Sequence, residues 1–239
     1  MNNFSLYLVC FIVPLILGLA IQGWLKSTFA ANSRKPISSG KSGADVAREI
    51  LDRNGLSNVV VQPSKVGPLS DHYDPRGRTV NLSEPVFSGR SVASTAVAAH
   101  EVGHAIQHAR SYVPMTLRSA VWPVAAFGSQ AWFFILIIGV FMGGLTDLSG
   151  GTASPTGRLL INLALILFAA VVAFQFVTLP VEFNASRRAA KQLRELGLVN
   201  DAEAAGVRQT LTAAAMTYVA GALAALAQLL FFLLRFGGR

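Results

Sequence analysis

The stretch Ala99-His100-Glu101-Val102-Gly103-His104-Ala105-Ile106-Gln107-His108 places three of the chain's four histidines on one side of an expected helix, with a glutamate among them. Residues four apart on an α-helix sit one above the other, so His100 and His104 can aim both imidazoles at a single point. Two neutral imidazoles suit zinc. Glu101 lies about 100° round the helix from His100, within reach of a metal-bound water without ligating the ion itself. His108 shares the stripe but stands roughly 12 Å along the axis from His100, too far for a common ion, and reads as a supporting or surface residue. The longer motif that recruits a third histidine needs glycine and histidine where this chain has Gln107 and Arg110. The third ligand must therefore come from elsewhere.

Composition says where such a helix would sit. Of 239 residues, 52% are hydrophobic and only 13% charged, and the mean hydropathy is +0.49. That is too apolar for an ordinary soluble domain and suits an integral membrane protein with modest aqueous parts. The net charge of +8 comes from basic residues that flank apolar runs, where they set topology, so no nucleic-acid partner is expected. Cys10 is the sole cysteine, which leaves neither a disulfide framework nor a thiolate zinc site. Any metal must use histidine and carboxylate.

Four uncharged or nearly uncharged runs, 1–25, 119–145, 159–181 and 209–235, are each long enough to cross a hydrocarbon layer of about 30 Å. The first reads as an uncleaved anchor, since it lacks an amino-terminal basic residue and Gln22-Gly23-Trp24 makes a poor cleavage site. Four spans put both termini on one side. The connections 26–118 and 182–208 then face one compartment, and the short loop 146–158 faces the other. Arg187, Arg188, Lys191, Arg194 and Arg208 crowd the later connection, whereas the short loop up to Arg158 carries Asp147, so the motif is expected on the cytoplasmic side of a bacterial-type cell membrane. The expected class is a mainly α, multi-pass membrane protein with a small α+β cytoplasmic part.

Within 26–118, residues 29–43 are rich in Asn, Ser, Lys, Pro and Gly and read as a linker, and residues 44–53 as a short amphipathic helix stopped by Asn54-Gly55. Residues 59–61 and 79–82 read as strands of a small sheet, with a polar turn over residues 71–78 between them. Thr79 to Ser83 is the expected sheet edge for pairing with an extended substrate; an ordinary hairpin is the competing reading. A helix over 91–110 follows, capped by Ser91 or Ser88. Gly103 inside it costs about 1 kcal/mol relative to alanine, which points to a packing or access reason such as room beside a metal.

Glu182 is the strongest source of a third ligand. It is the first charge after an uncharged span, a costly place for a carboxylate without a partner, and it lies in the connection that shares a compartment with the motif. Asn184 and Ser186 stand nearby to hydrogen-bond the ligands. The competing reading pairs Glu182 with Arg187 or Arg188; Glu84, Asp71, Asp74 and His72 are weaker ligand candidates.

The segment His100 to His108, the later Leu179-Pro180-Val181-Glu182-Phe183-Asn184-Ala185-Ser186-Arg187-Arg188, Asp71-His72-Tyr73-Asp74-Pro75-Arg76 and Asn81-Leu82-Ser83-Glu84 together resemble the bacterial YugP-type membrane zinc metallopeptidases over nearly the whole chain. More distantly the chain is similar to gluzincins, in which the two histidines of HExxH and a later glutamate bind zinc. The resemblance implies a zincin-like aqueous part and a site made of His100, His104 and Glu182. In those relatives an acidic residue often follows the glutamate by four; Ser186 stands there in this chain.

The expectation is a membrane-embedded endopeptidase holding one Zn²⁺ per chain, with Glu101 as the base that takes a proton from water and passes it to the leaving amine. His72, Tyr73, Arg187 and Tyr218 are the candidates for oxyanion or substrate contacts. The expected partners are a protein or peptide substrate and the lipid bilayer, with self-assembly left open. The alternative is a membrane scaffold or quality-control binding protein with a structural or vestigial zinc site. An intact Glu101 speaks against it, because a structural site has no use for a base.

Overall fold

A computed structural model describes residues 3–67, 70–144 and 154–236; most of the expected short loop at 146–158 lies outside them. In chain order the elements are α1 (Asn3–Tyr7), a π-helical turn (Leu8–Ile12), α2 (Val13–Ser33), α3 (Gly43–Arg53), β1 (Val60–Pro63), β2 (His72–Asp74), β3 (Thr79–Leu82), α4 (Glu84–Phe87), α5 (Val92–Ala109), α6 (Val113–Gly139), a second π turn (Val140–Gly144), α7 (Pro155–Glu195) and α8 (Asp201–Phe236). Among the described residues, four helical stretches are long and apolar enough to cross a membrane: Phe4–Ser33, Val113–Gly143, Pro155–Glu195 and Asp201–Phe236. The chain divides into two compact units, one of Met1–Leu19, Leu117–Thr178 and Tyr218–Arg239, the other of Ala20–Thr116 and Leu179–Thr217.

The first unit is held by aromatic and small-residue contacts. Trp132 stacks on Phe168 with ring centroids 4.2 Å apart, and Phe232 meets Trp132 edge-on. α6 approaches α7 closely at two glycines, Gly128 against the Leu167 carbonyl and Gly139 against that of Gly157. Gly221 of α8, one of a run of small residues that sequence marks for close packing, has nothing within 4 Å of where a Cβ would stand, so the intimate contact falls on α6 instead. Phe127, Phe134, Leu159, Ile166 and Leu234 are exposed, the surface that a helix bundle presents when its solvent is lipid.

The second unit has its own core, built from Ile50 and Leu51 of α3, Val80 and Leu82 of β3, Ala99 and Val102 of α5, Leu193 of α7 and Val207 of α8. α3 is fixed at its start by a capping box between Ser42 and Asp45 and at its end by Asn54 and Gly55, the latter in the left-handed region at φ +71°. α5 starts with Ser91, whose side chain accepts from the Ser94 amide while Ser94 reaches back to the Ser91 amide. Ser91, not Ser88, is therefore the cap.

Three local expectations change. Residues 29–33 are helical, the end of α2, because Asn32 is buried and donates to the Gly206 carbonyl at 3.1 Å and the Thr210 hydroxyl at 3.0 Å; composition suggests a linker, but this anchorage on α8 extends the helix. His72–Asp74, inside the expected polar turn, is a strand, since it pairs antiparallel with β3 from His72–Asn81 to Asp74–Thr79. β3 is also paired, in parallel, with β1, which makes the sheet order β1-β3-β2. Both flanks of β3 are occupied, so Thr79–Leu82 is the centre of the sheet and not an edge open to an extended peptide.

Candidate metal centre

α5 and α7 supply the site, and both contributions lie within the second unit. Gly103 is what lets the two helices meet. A Cβ there would stand 2.6 Å from the Ala185 carbonyl oxygen, far inside contact distance, so only glycine allows α5 this close to the turn of α7 that carries Glu182. The reason for Gly103 is helix packing, not open space beside a metal.

That approach brings His100, His104 and Glu182 together. His100 Nε2 stands 3.2 Å and His104 Nε2 3.5 Å from Glu182 Oε2, and the ligand atoms of all three lie within 4.8 Å of one another. With metal–ligand bonds of about 2.0–2.2 Å, the edge of a tetrahedral zinc site is about 3.3 Å. Two of the observed edges match that value, so the donor set fits zinc in both chemistry and spacing. All three side chains are largely removed from water, with Glu182 3% and His104 9% exposed.

Each imidazole turns its other nitrogen to a partner, the usual support for a ligating histidine. His100 Nδ1 is 3.2 Å from the Ser186 hydroxyl, and His104 Nδ1 is 3.0 Å from Gln107 Oε1. Gln107 in turn donates to the Val181 carbonyl and to Asn184 Oδ1. Burial disfavours the charged form of His104, but the hydrogen bond and charge of Glu182 outweigh it, with help from Glu101, and hold the imidazole pKa above its ordinary value. Glu101 is 8% exposed, and its carboxylate makes no hydrogen bond or ion pair among the described residues, an uncommitted base beside the cluster.

The metal-ligand group includes none of the other candidates. His72 is spent within the sheet, with Nδ1 donating to the Ser70 carbonyl and Nε2 accepting from Asn81. The Tyr73 hydroxyl meets His108 Nδ1 at 2.8 Å, which gives His108 a supporting place outside the donor cluster. Asp71 binds the amide and hydroxyl of Ser83, Asp74 holds the turn at Arg76 and Gly77, and Glu84 accepts from Ser88. Arg187 is exposed and makes no hydrogen bond or ion pair among the described residues. Tyr218 belongs to α8 in the first unit. The residue that the sequence does not single out is Gln107: it enters only as a departure from a longer motif, although its place three after His104, on the same helix face, is the available signal.

Residues 7–237 match the family described as "Putative neutral zinc metallopeptidase". The chain is also 45% identical over 230 residues, 95% of its length and 96% of the relative's, to the "Putative membrane protease YugP" of Bacillus subtilis (strain 168). No solved structure matches.

Proposed function

Because the chain belongs to this neutral zinc metallopeptidase family, we propose that it is a membrane-embedded zinc endopeptidase that hydrolyses peptide bonds of a protein or peptide substrate. The observation that carries the reading is that two of the spacings among the His100, His104 and Glu182 donor atoms match the edge of a zinc tetrahedron and the third lies within 4.8 Å, with Glu101 uncommitted beside them. These three residues would hold one Zn²⁺ per chain. When bound, zinc supplies Lewis acidity to the scissile carbonyl and acidifies a water.

The chain's own residues do the rest. Glu101 accepts the water's proton as the oxygen attacks the carbonyl carbon, then delivers it to the departing amine, so one carboxylate serves as base and then acid. Burial around the site, with Glu101, His104 and Glu182 each less than a tenth exposed, strengthens the electrostatic interactions within it. Negative charge developing on the carbonyl oxygen calls for a donor; the Arg187 guanidinium makes no hydrogen bond or ion pair among the described residues, whereas the His72 ring and the Tyr73 hydroxyl are engaged. Arg187, Arg188, Lys191, Arg194 and Arg208, in the connection that carries Glu182, support a cytoplasmic catalytic side, and the bilayer is the expected environment of the apolar helices.

The test is Glu101→Gln in the full-length protein. The variant is expected to retain about one zinc per chain and to lose peptidase activity by ~100-fold or more. Comparing membrane proteomes of cells carrying the native protein and the variant should reveal peptides that accumulate with the variant. Undiminished activity in that variant overturns the mechanism.

A further inference from the structure

We propose that Gln107 is the positioning residue of the site: its single amide sets the proton position and ring orientation of His104 and also ties α5 to the turn of α7 that carries Glu182. The inference rests on the zinc reading above. Gln107 is fully buried, and a buried amide needs partners for both its oxygen and its nitrogen. It has them: Nε2 donates to the Val181 carbonyl at 2.8 Å and to Asn184 Oδ1 at 3.0 Å, and Oε1 faces His104 Nδ1 at 3.0 Å.

The direction of these bonds is forced. A backbone carbonyl only accepts, so the amide nitrogen must face Val181 and the oxygen must face His104. Asn184 is fixed in the same sense, because its Oδ1 also accepts from Arg188 Nε at 2.7 Å, and a guanidinium only donates. The neutral ring of His104 must then carry its proton on Nδ1, which leaves Nε2, the nitrogen facing Glu182, bare for a metal. The supporting partner of His100 differs in kind. Ser186 offers a hydroxyl whose proton rotates to suit either ring state, so it carries no comparable instruction. Gln107 also reaches both sides of the carboxylate ligand, since Val181 and Asn184 flank Glu182 in sequence.

Two variants separate the two roles. Gln107→Met keeps the length and loses every hydrogen bond; Gln107→Glu keeps an acceptor for His104 but sets a carboxylate against the Val181 carbonyl and Asn184 Oδ1. In full-length protein in detergent, zinc affinity is read by competition with a chromophoric chelator, the ring proton by ¹⁵N NMR of histidine-labelled zinc protein, and stability by melting of the zinc-free form. Wild type is expected to show a protonated Nδ1 on His104. Q107M is expected to bind zinc ~10–100-fold more weakly, and Q107E to weaken binding while retaining the Nδ1 proton. Zinc affinity within twofold of wild type in a folded Q107M, or both variants lowering only the melting point of the zinc-free form, overturns the proposal. So does a wild-type spectrum with His104 unprotonated at Nδ1, a measurement that needs no variant to fold. Zinc bound no better by wild type than by His104→Ala overturns the zinc reading and this proposal with it, whereas wild-type binding matched by Q107M overturns the proposal alone.

Discussion

Replacing Gly103 with alanine tests whether helix packing sets the metal site. The new Cβ would meet the Ala185 carbonyl oxygen at 2.6 Å, whereas ordinary contact begins near 3.4 Å, so α5 and α7 must separate by about 0.8 Å. The obstacle is backbone, and no side-chain rotation relieves it. Ala185 lies three residues after Glu182 and Gly103 directly precedes His104, so the separation is passed to the donor atoms now 3.2 and 3.5 Å apart. Metal sites tolerate errors of about 0.2 Å in ligand distance. Alanine gains about 1 kcal/mol of helix propensity while overpacking costs about 1–3 kcal/mol, so zinc-free stability should fall by no more than about 2 kcal/mol. Turnover, by contrast, should fall by ~100-fold, with weakened zinc binding by chelator competition. Gly221→Ala, where nothing lies within 4 Å, is the control and should leave zinc affinity unchanged. A G103A protein that binds zinc like wild type refutes the reasoning.

Glu182→Gln removes a charged ligand, so the folded variant should emerge from dialysis with close to no zinc where wild type retains it; equal retention would assign the third ligand elsewhere. Acidity should act through His104, whose folded pKa is raised above 6.5 by Glu182. In zinc-free protein its proton stabilises the fold fully below about 6.5, and that contribution is lost as pH rises through the raised folded value. Zinc displaces this proton, so the zinc-induced rise in Tm should grow as pH rises from about 6.5 through that raised value, and a flat response would contradict the assignment. Ser91→Ala removes the cap of α5 and should cost about 0.5–2 kcal/mol of stability, measured by denaturant unfolding, while leaving the chelator-competition curve in place.

The histidine pair is legible in the sequence because helical periodicity is local: residues four apart share a face whatever surrounds them. Glu182 is legible for a different reason, as a lone carboxylate at the end of an uncharged run, and the structure brings it to the two imidazoles. Gln107 is not, since its role depends on Val181 and Asn184, 74 and 77 residues away, and nothing in a single sequence marks which buried amide will meet which carbonyl. The sheet fails for a related reason. A four-residue run such as Thr79–Leu82 announces a strand but not its neighbours, and it is His72–Asp74, pairing on the flank of β3 opposite β1, that turns an expected edge into the centre. Gly103 shows a signal that is present but ambiguous: a helical glycine demands an explanation, and only the crossing helix supplies it.

The 82 residues that separate His100 from Glu182 also impose a timetable. At about 5–20 residues per second, a ribosome that has just made the histidine helix needs about 4–16 s more to reach the carboxylate, and it must first translate α6 and most of the apolar part of α7. Through that interval the nascent chain holds two imidazoles and a base but lacks the third ligand. Products that stop short of residue 182 lack that carboxylate, so on the proposed function the hydrolase is armed only when its third apolar stretch has been synthesised.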